Sequence, residues 1–257
     1  MTPPDSDRPR MPASLAHAPV FPPPRPAVRG EEAAVLAAQN AALNESHAMA
    51  DYRARGGALV RGIEERRRRL VASRVLRARP RTNPDAWTVV DVGCEDGWIA
   101  EAYAPRVRET ILVDLDPAML RRAEAKGLPR TRCVVGDATD PWVLPPATAD
   151  VLVLSAVLEH LARPAEALRA LARAVRPGGR VVAFVPADGP ILAIKKLLHF
   201  TGLSVFARGV SMEPAPGHLQ RFDRASFADL MRSAGDVEEV SFDPLVLGYV
   251  AVARVRS

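Results

Sequence analysis

From Trp87 onward, short apolar runs alternate with amphipathic stretches. The runs at 88–92, 109–113, 132–135, 150–154 and 180–185 are rich in Val, Ile and Leu and are bounded by Asp, Gly and Pro, which predicts five strands. Helices are predicted between them at 97–104, 117–126 and 164–175, and Pro177-Gly178-Gly179 stops the last one before its strand. Strands joined by short helical crossovers imply a parallel, doubly wound sheet. A helix from Arg224 to Ser233 and two strands at about 237–242 and 247–254 close the chain. Little beyond Asp243-Pro244-Leu245 separates those strands, so they should form an antiparallel hairpin. The expected fold is α/β: a doubly wound, seven-stranded sheet with five parallel strands and a C-terminal antiparallel hairpin.

The flanking segments have a different pattern. Residues 1–30 carry nine prolines and few large apolar residues, which predicts a disordered Pro-rich tail. Residues 31–86 read as an N-terminal helical cap, with helices over 31–44 and 57–79. Its apolar positions Leu59, Ile63, Leu70, Val71, Val75 and Leu76 fit one helical face only loosely, and Pro80 and Pro84 end it. Within the main domain, 87–257, the stretch 186–222 interrupts the alternation with Pro, Gly and an apolar segment from Ile191 to Leu198. There is no internal repeat.

Composition narrows the class. The 257 residues suffice for one α/β domain with additional elements, and 48% hydrophobic residues can fill a core. No apolar run reaches the roughly 18–20 residues of a membrane span, and the N-terminus has no apolar leader. The two cysteines, Cys94 and Cys133, have no metal-type spacing and make no disulfide framework. No metal site is therefore expected, and a reducing cytoplasm is the expected location. The net charge is +5, but only three of the 35 basic residues are Lys, so the basic balance reflects Arg-rich composition. The one concentrated patch, Arg66-Arg67-Arg68-Arg69, is expected to be a solvated helix face, and nucleic-acid binding is discounted on that ground.

The chemistry begins at Val89-Val90-Asp91-Val92-Gly93-Cys94-Glu95-Asp96-Gly97, an apolar strand running into a glycine loop. Glycines let backbone approach a ligand closely, and a following helix end would present free N–H groups. A dinucleotide Gly-x-Gly-x-x-Gly spacing fails already at Gly93-Cys94-Glu95. About 20 residues further on, Asp114 ends the second run, the separation at which an acid meets ribose hydroxyls in nucleotide-binding βαβ units. Asp116-Pro117 reads as the cap and first turn of the next helix.

Four motifs in order resemble the class I S-adenosylmethionine-dependent methyltransferases, a Rossmann-like fold. The likeness is to the group that includes ubiquinone- and menaquinone-biosynthesis and natural-product enzymes, and it covers about 87–254. The first is the glycine loop. The second is Ile111-Leu112-Val113-Asp114-Leu115-Asp116-Pro117, the third Val134-Val135-Gly136-Asp137-Ala138, and the fourth Asp150 to Ser155 followed by Leu158-Glu159-His160-Leu161. The resemblance implies S-adenosyl-L-methionine as cofactor. Gly93 and Gly97 would line its methionine part and Asp91 its amino end. Asp114, with Leu115 beside it, would hold the ribose, Asp137 and Ala138 would meet the adenine, and Ser155 would pass the methionine end. Glu95 stands where the family has Gly, so its carboxylate either faces the cofactor's ammonium or points to water.

The implied reaction is in-line methyl transfer to a small, hydrophobic or aromatic molecule. His160 is either a general base or a packing element. His218, in Gly217-His218-Leu219-Gln220-Arg221-Phe222, would orient or deprotonate the acceptor. The insertion offers apolar Ile191, Leu197, Phe200 and Phe206 as pocket walls, and Asn44, Glu45, His47 and Tyr52 are candidates for a lid. Two other functions remain open: methylation of RNA or another macromolecule, and an inactive scaffold of the same fold. The oligomeric state is open too.

Overall fold

The computed structural model describes residues 53, 57–80, 86–140, 143–187 and 218–256. The tail, the 31–44 helix, the lid candidates Asn44, Glu45, His47 and Tyr52, the side chain of Leu59 and the apolar residues of 191–206 lie outside the described residues.

Seven strands form one sheet in the order β3-β2-β1-β4-β5-β7-β6. They are β1 (Thr88–Val92), β2 (Glu109–Asp114), β3 (Thr131–Val135), β4 (Ala149–Ser155), β5 (Val175–Pro186), β6 (Asp236–Asp243) and β7 (Gly248–Arg254). β1 to β5 pair in parallel. β7 runs antiparallel to both β5 and β6, so the C-terminal hairpin adds one reversed strand inside the edge. The helices are α1 (Ala58–Arg77), α2 (Pro117–Ala125), α3 (Pro164–Ala172) and α4 (Arg224–Met231).

The inner strands β1, β2 and β4 read as near-continuous apolar runs because both faces of the sheet are covered there, whereas the outer β3 and β6 are partly exposed. Alternate residues enter two separate cores. Val90, Ile111, Leu152 and Leu154 face Leu168, Leu171, Phe227 and Met231 of α3 and α4. Val89, Leu112, Val151 and Val153 face Val71, Val75, Leu120 and Ala123 of α1 and α2. Each such side chain, when fully buried, contributes roughly 1.5–3 kcal/mol. Local signals set the helix starts. Asp116 caps α2 by accepting from the Ala118 N–H at 2.8 Å, with Pro117 in the first turn. Asp223 and Ser226 form a reciprocal capping box on α4.

Two expectations are corrected. The helix at 97–104 is replaced by two short 3-10 turns, Ala100–Ala102 and Ala104–Arg106. Gly97 enters with φ +73, a left-handed conformation, and Pro105 has no N–H to continue an α-helix. The helix predicted to 175 ends at Ala172, and Pro177-Gly178-Gly179 lies inside β5, where the β4–β5 register shifts.

The loose periodicity of α1 also has a physical basis. Its sheet side buries Arg67 and Glu64 beside Val71 and Val75, and Arg67 sits over the Phe184 ring at 5.9 Å.

Candidate functional site

The predicted site residues stand at the carboxyl ends of four adjacent strands. Gly93 follows β1, Asp114 ends β2, Asp137 follows β3 and Ser155 ends β4. The chain runs outward from β1 to β3 and returns on the other side of β1 to form β4. A crevice therefore opens where the strand order reverses, the usual ligand position in such sheets.

The glycine loop is held by contacts that require its glycines. Gly93 has φ +70, and a Cβ there would lie 2.4 Å from Val157 Cγ2, in the loop after β4. A Cβ on Gly97 would meet Leu112 Cδ1 at 3.2 Å and Ala123 Cβ at 3.3 Å. Between them Glu95 also takes a left-handed conformation, φ +50, which costs an L-residue roughly 1–2 kcal/mol. Two bonds offset that strain. The Glu95 N–H donates to Asp114 Oδ2 at 2.8 Å, and its carboxylate pairs with the Arg53 guanidinium.

Arg53 is the functional neighbour that sequence reasoning missed. It is 8% exposed, and its second nitrogen lies 2.8 Å from Asp96 Oδ1. Burial lowers its pKa, but Glu95 and Asp96 outweigh that and hold it above the ordinary value. Trp98 extends the cluster, with Arg68 over its ring at 4.6 Å and Lys126 at 5.8 Å. Lys126 in turn lies 3.1 Å from Asp96 and 2.7 Å from Glu101. Of the two open readings of Glu95, neither matches this arrangement: the carboxylate faces Arg53. The only sequence signal for such a clamp is the adjacent Glu95-Asp96 pair, which calls for a cation.

Asp91 is 1% exposed and accepts from the Tyr103 hydroxyl at 2.7 Å. Burial pushes its carboxyl up to about 7; the Tyr103 bond opposes that, and the charges of Asp114 and Glu95 reinforce it. Asp114 is held by two backbone N–H groups, those of Glu95 at 2.8 Å and Asp116 at 2.9 Å. Its pKa is raised, chiefly by burial, against the lowering effect of those bonds. It thus couples the glycine loop to the start of α2. Leu115 beside it is half-buried.

Asp137 closes a turn by accepting from the Thr139 N–H at 2.7 Å and the Thr139 hydroxyl at 2.8 Å. Ala138 packs, half-buried, against the α3–α4 core. Ser155 Oγ is buried and has no hydrogen-bond partner among the described residues. Ala156 follows with φ +59.

The two histidines come together. The ring of His160 meets that of His218 edge-on at 5.0 Å between centroids. Glu159, 1% exposed, stands with them, and one ligand atom from each of the three lies within 4.8 Å of the others. The Glu159 carbonyl accepts from the N–H groups of Leu219 at 2.8 Å and Gln220 at 3.0 Å, which docks the His218 segment on the turn after β4.

The Arg cluster of α1 is engaged within the chain. Arg66 pairs with Asp243 at 2.8 Å, Arg67 with Glu64 at 2.6 Å, Arg68 with Glu65 at 2.8 Å and Arg69 with Glu65 at 2.6 Å. The expectation of a simple solvated face holds for Arg69, 77% exposed, and not for Arg67, 8% exposed.

These groups select a ligand type. Carboxylates of Asp91, Glu95, Asp96 and Asp114 surround the glycine loop, and the 3-10 turns after it offer no extended helix dipole. A pyrophosphate would find Arg53 and Lys126 already paired with Glu95 and Asp96 and the Asp114 carboxylate beside it. A ligand with ribose hydroxyls and a cationic centre fits: Asp114 offers acceptors, the glycines offer close approach and Ser155 offers an unused hydroxyl.

Comparison with known proteins agrees. A family described as a methyltransferase domain matches residues 63–235. An uncharacterised methyltransferase of Mycobacterium tuberculosis is 36% identical over 107 residues, 38% of this chain and 50% of that protein. The ubiquinone biosynthesis O-methyltransferase of Idiomarina loihiensis is 33% identical over 98 residues, 36% of this chain and 40% of that protein. The chain thus spans half or less of the length of these curated relatives. Among solved structures, a SAM-dependent methyltransferase from Methanosarcina mazei superposes with a TM-score of 0.52 at 16% identity, over 67% of this chain and 93% of that one.

Proposed function

The chain belongs to the methyltransferase-domain family of class I S-adenosylmethionine-dependent enzymes, and from that premise we propose that it transfers a methyl group to a small, hydrophobic or aromatic molecule. One observation supports this most: a left-handed glycine loop ringed by carboxylates, with Asp114 bonded to the loop itself. When bound, S-adenosyl-L-methionine supplies a methyl on a sulfonium, activated for in-line displacement.

The chain's residues supply binding and alignment. Asp114 accepts from the ribose hydroxyls. Asp137 and the Ala138 N–H meet the adenine ring. Gly93 and Gly97 admit the methionine part against the backbone. Asp91, buried near the loop, supplies negative charge toward the amino end, and Ser155 donates or accepts at the same end. Arg53 sets the loop by holding Glu95 and Asp96 and is a positioning residue. His160 and His218 stand past the end of β4, where the acceptor must enter, and they hold an acceptor hydroxyl in place there.

No helix among the described residues is long and apolar enough to cross a membrane. Two free cysteines, Cys94 buried and Cys133 partly so, suit a reducing compartment, and we assign the reaction to the cytoplasm. Methylation of RNA finds less support, because Arg66 to Arg69 are spent on internal carboxylates. The test is a screen of metabolite extracts with methyl-labelled cofactor. A labelled product of low mass, heavier by one methyl, is expected. Label appearing only in RNA or protein would overturn the acceptor class.

A further inference from the structure

We infer that Glu159, His160 and His218 form a binding site for one divalent transition-metal ion, of the two-imidazole, one-carboxylate type. The three offer ligand atoms within 4.8 Å of one another, a spacing that a bound ion closes by small side-chain rotations. Two imidazoles and a carboxylate are the donor set of catalytic zinc sites that keep a position open for water or substrate.

The cluster is built rather than accidental. Glu159 and His160 sit on a 3-10 turn, Leu158–His160, immediately after β4 and its crevice. His218 is 58 residues away in sequence, and two backbone bonds from Leu219 and Gln220 to the Glu159 carbonyl fix it there. A third bond, from Gln220 Nε2 to the Ala162 carbonyl at 3.3 Å, ties the same segment to the other side of the turn. The carboxylate is 1% exposed, while both imidazoles are only partly buried. The site is therefore walled on the carboxylate side and open on the imidazole side, as a site that admits a further ligand must be.

The consequence for catalysis rests on the methyl-transfer reading; the cation site does not. With the ion bound, a hydroxyl of the acceptor takes the open position. Coordination makes that hydroxyl more acidic, its proton passes to solvent, and the oxygen is held at the crevice. An acceptor with a second oxygen beside the first, such as a vicinal diphenol, would bind in preference to a monophenol.

The test uses the untagged protein, freed of metal by chelator and titrated with Co2+ and then Zn2+. The expected result is one ion per chain with micromolar-range affinity, visible cobalt bands of a nitrogen–oxygen site, and displacement of Co2+ by Zn2+. His218→Ala should weaken binding at least tenfold, and His160→Gln, the second variant should His218→Ala fold poorly, should do the same. No stoichiometric binding to wild type, or variants that bind the ion as tightly as wild type, overturns the site. Calorimetry of S-adenosylmethionine in excess chelator separates the two ideas. Its binding should persist without the ion, so loss of metal binding alone leaves the methyltransferase reading intact.

Discussion

Asp91→Asn should make the protein more stable at neutral pH, although it removes a charged group from the site. The Asp91 carboxyl is 1% exposed and is pushed from 3.8 to about 7, first by burial. Its folded-state pKa lies above its unfolded value, so protonation favours the fold. That contribution is fully present below about pH 4 and is lost as pH rises through about 7. The separation corresponds to about 4 kcal/mol at most. Asparagine keeps the acceptor for the Tyr103 hydroxyl and has nothing to ionise. Urea denaturation from pH 5 to 8 should therefore show wild type losing about 3 kcal/mol relative to the variant, mostly between pH 5 and 7. The same group links to ligand binding. A cationic ammonium near Asp91 lowers its pKa, so cofactor binding at pH 6 should release up to about one proton, read from calorimetry in buffers of different ionisation enthalpy. Stability curves of the two proteins that run parallel to within about 0.5 kcal/mol would refute the burial argument.

Asp114→Ala should weaken cofactor binding by roughly 1–3 kcal/mol, and it should also lower the melting temperature because the Glu95 and Asp116 N–H groups lose their acceptor. Gly93→Ala should abolish cofactor binding and destabilise by about 2 kcal/mol or more, measured by thermal melting, because a methyl cannot share space with Val157 at φ +70. Arg53→Ala should weaken cofactor binding several-fold while circular dichroism stays unchanged, since the sheet does not depend on it; unchanged affinity would remove Arg53 from the account. Arg69→Ala, which alters a side chain 77% exposed, should leave cofactor affinity within error, and any salt-sensitive RNA binding that this variant abolishes would revive the macromolecular reading.

The inner strands were legible in the sequence because β1, β2 and β4 are buried on both faces and so read as apolar runs, as Ile111-Leu112-Val113 before Asp114 does. The ends of β1, β2 and β4 carried the site with them, since Asp114 and Ser155 need only the strand to be placed correctly. What depended on distant partners was not legible. The stretch after Gly97 has helix-forming residues, but its left-handed start, Pro105 and the Tyr103–Asp91 bond turn it into 3-10 turns. Arg53 meets Glu95 across 42 residues, and no local periodicity encodes that. His160 and His218 were each visible as polar residues after a strand end and before a helix, yet their meeting, and the burial of Glu159 beside them, follows only from the fold. The Arg run of α1 misled for the same reason: its partners Asp243 and Glu101 lie in other elements.

The central claim is that the glycine loop and Asp114 hold S-adenosylmethionine. Isothermal calorimetry of the intact protein with S-adenosylmethionine, with NAD as the comparison ligand, addresses it directly. One site of micromolar-range affinity for S-adenosylmethionine, weakened in Asp114→Ala, and no heat from NAD are expected. Binding of NAD alone, or no binding of S-adenosylmethionine by the folded protein, would contradict the claim.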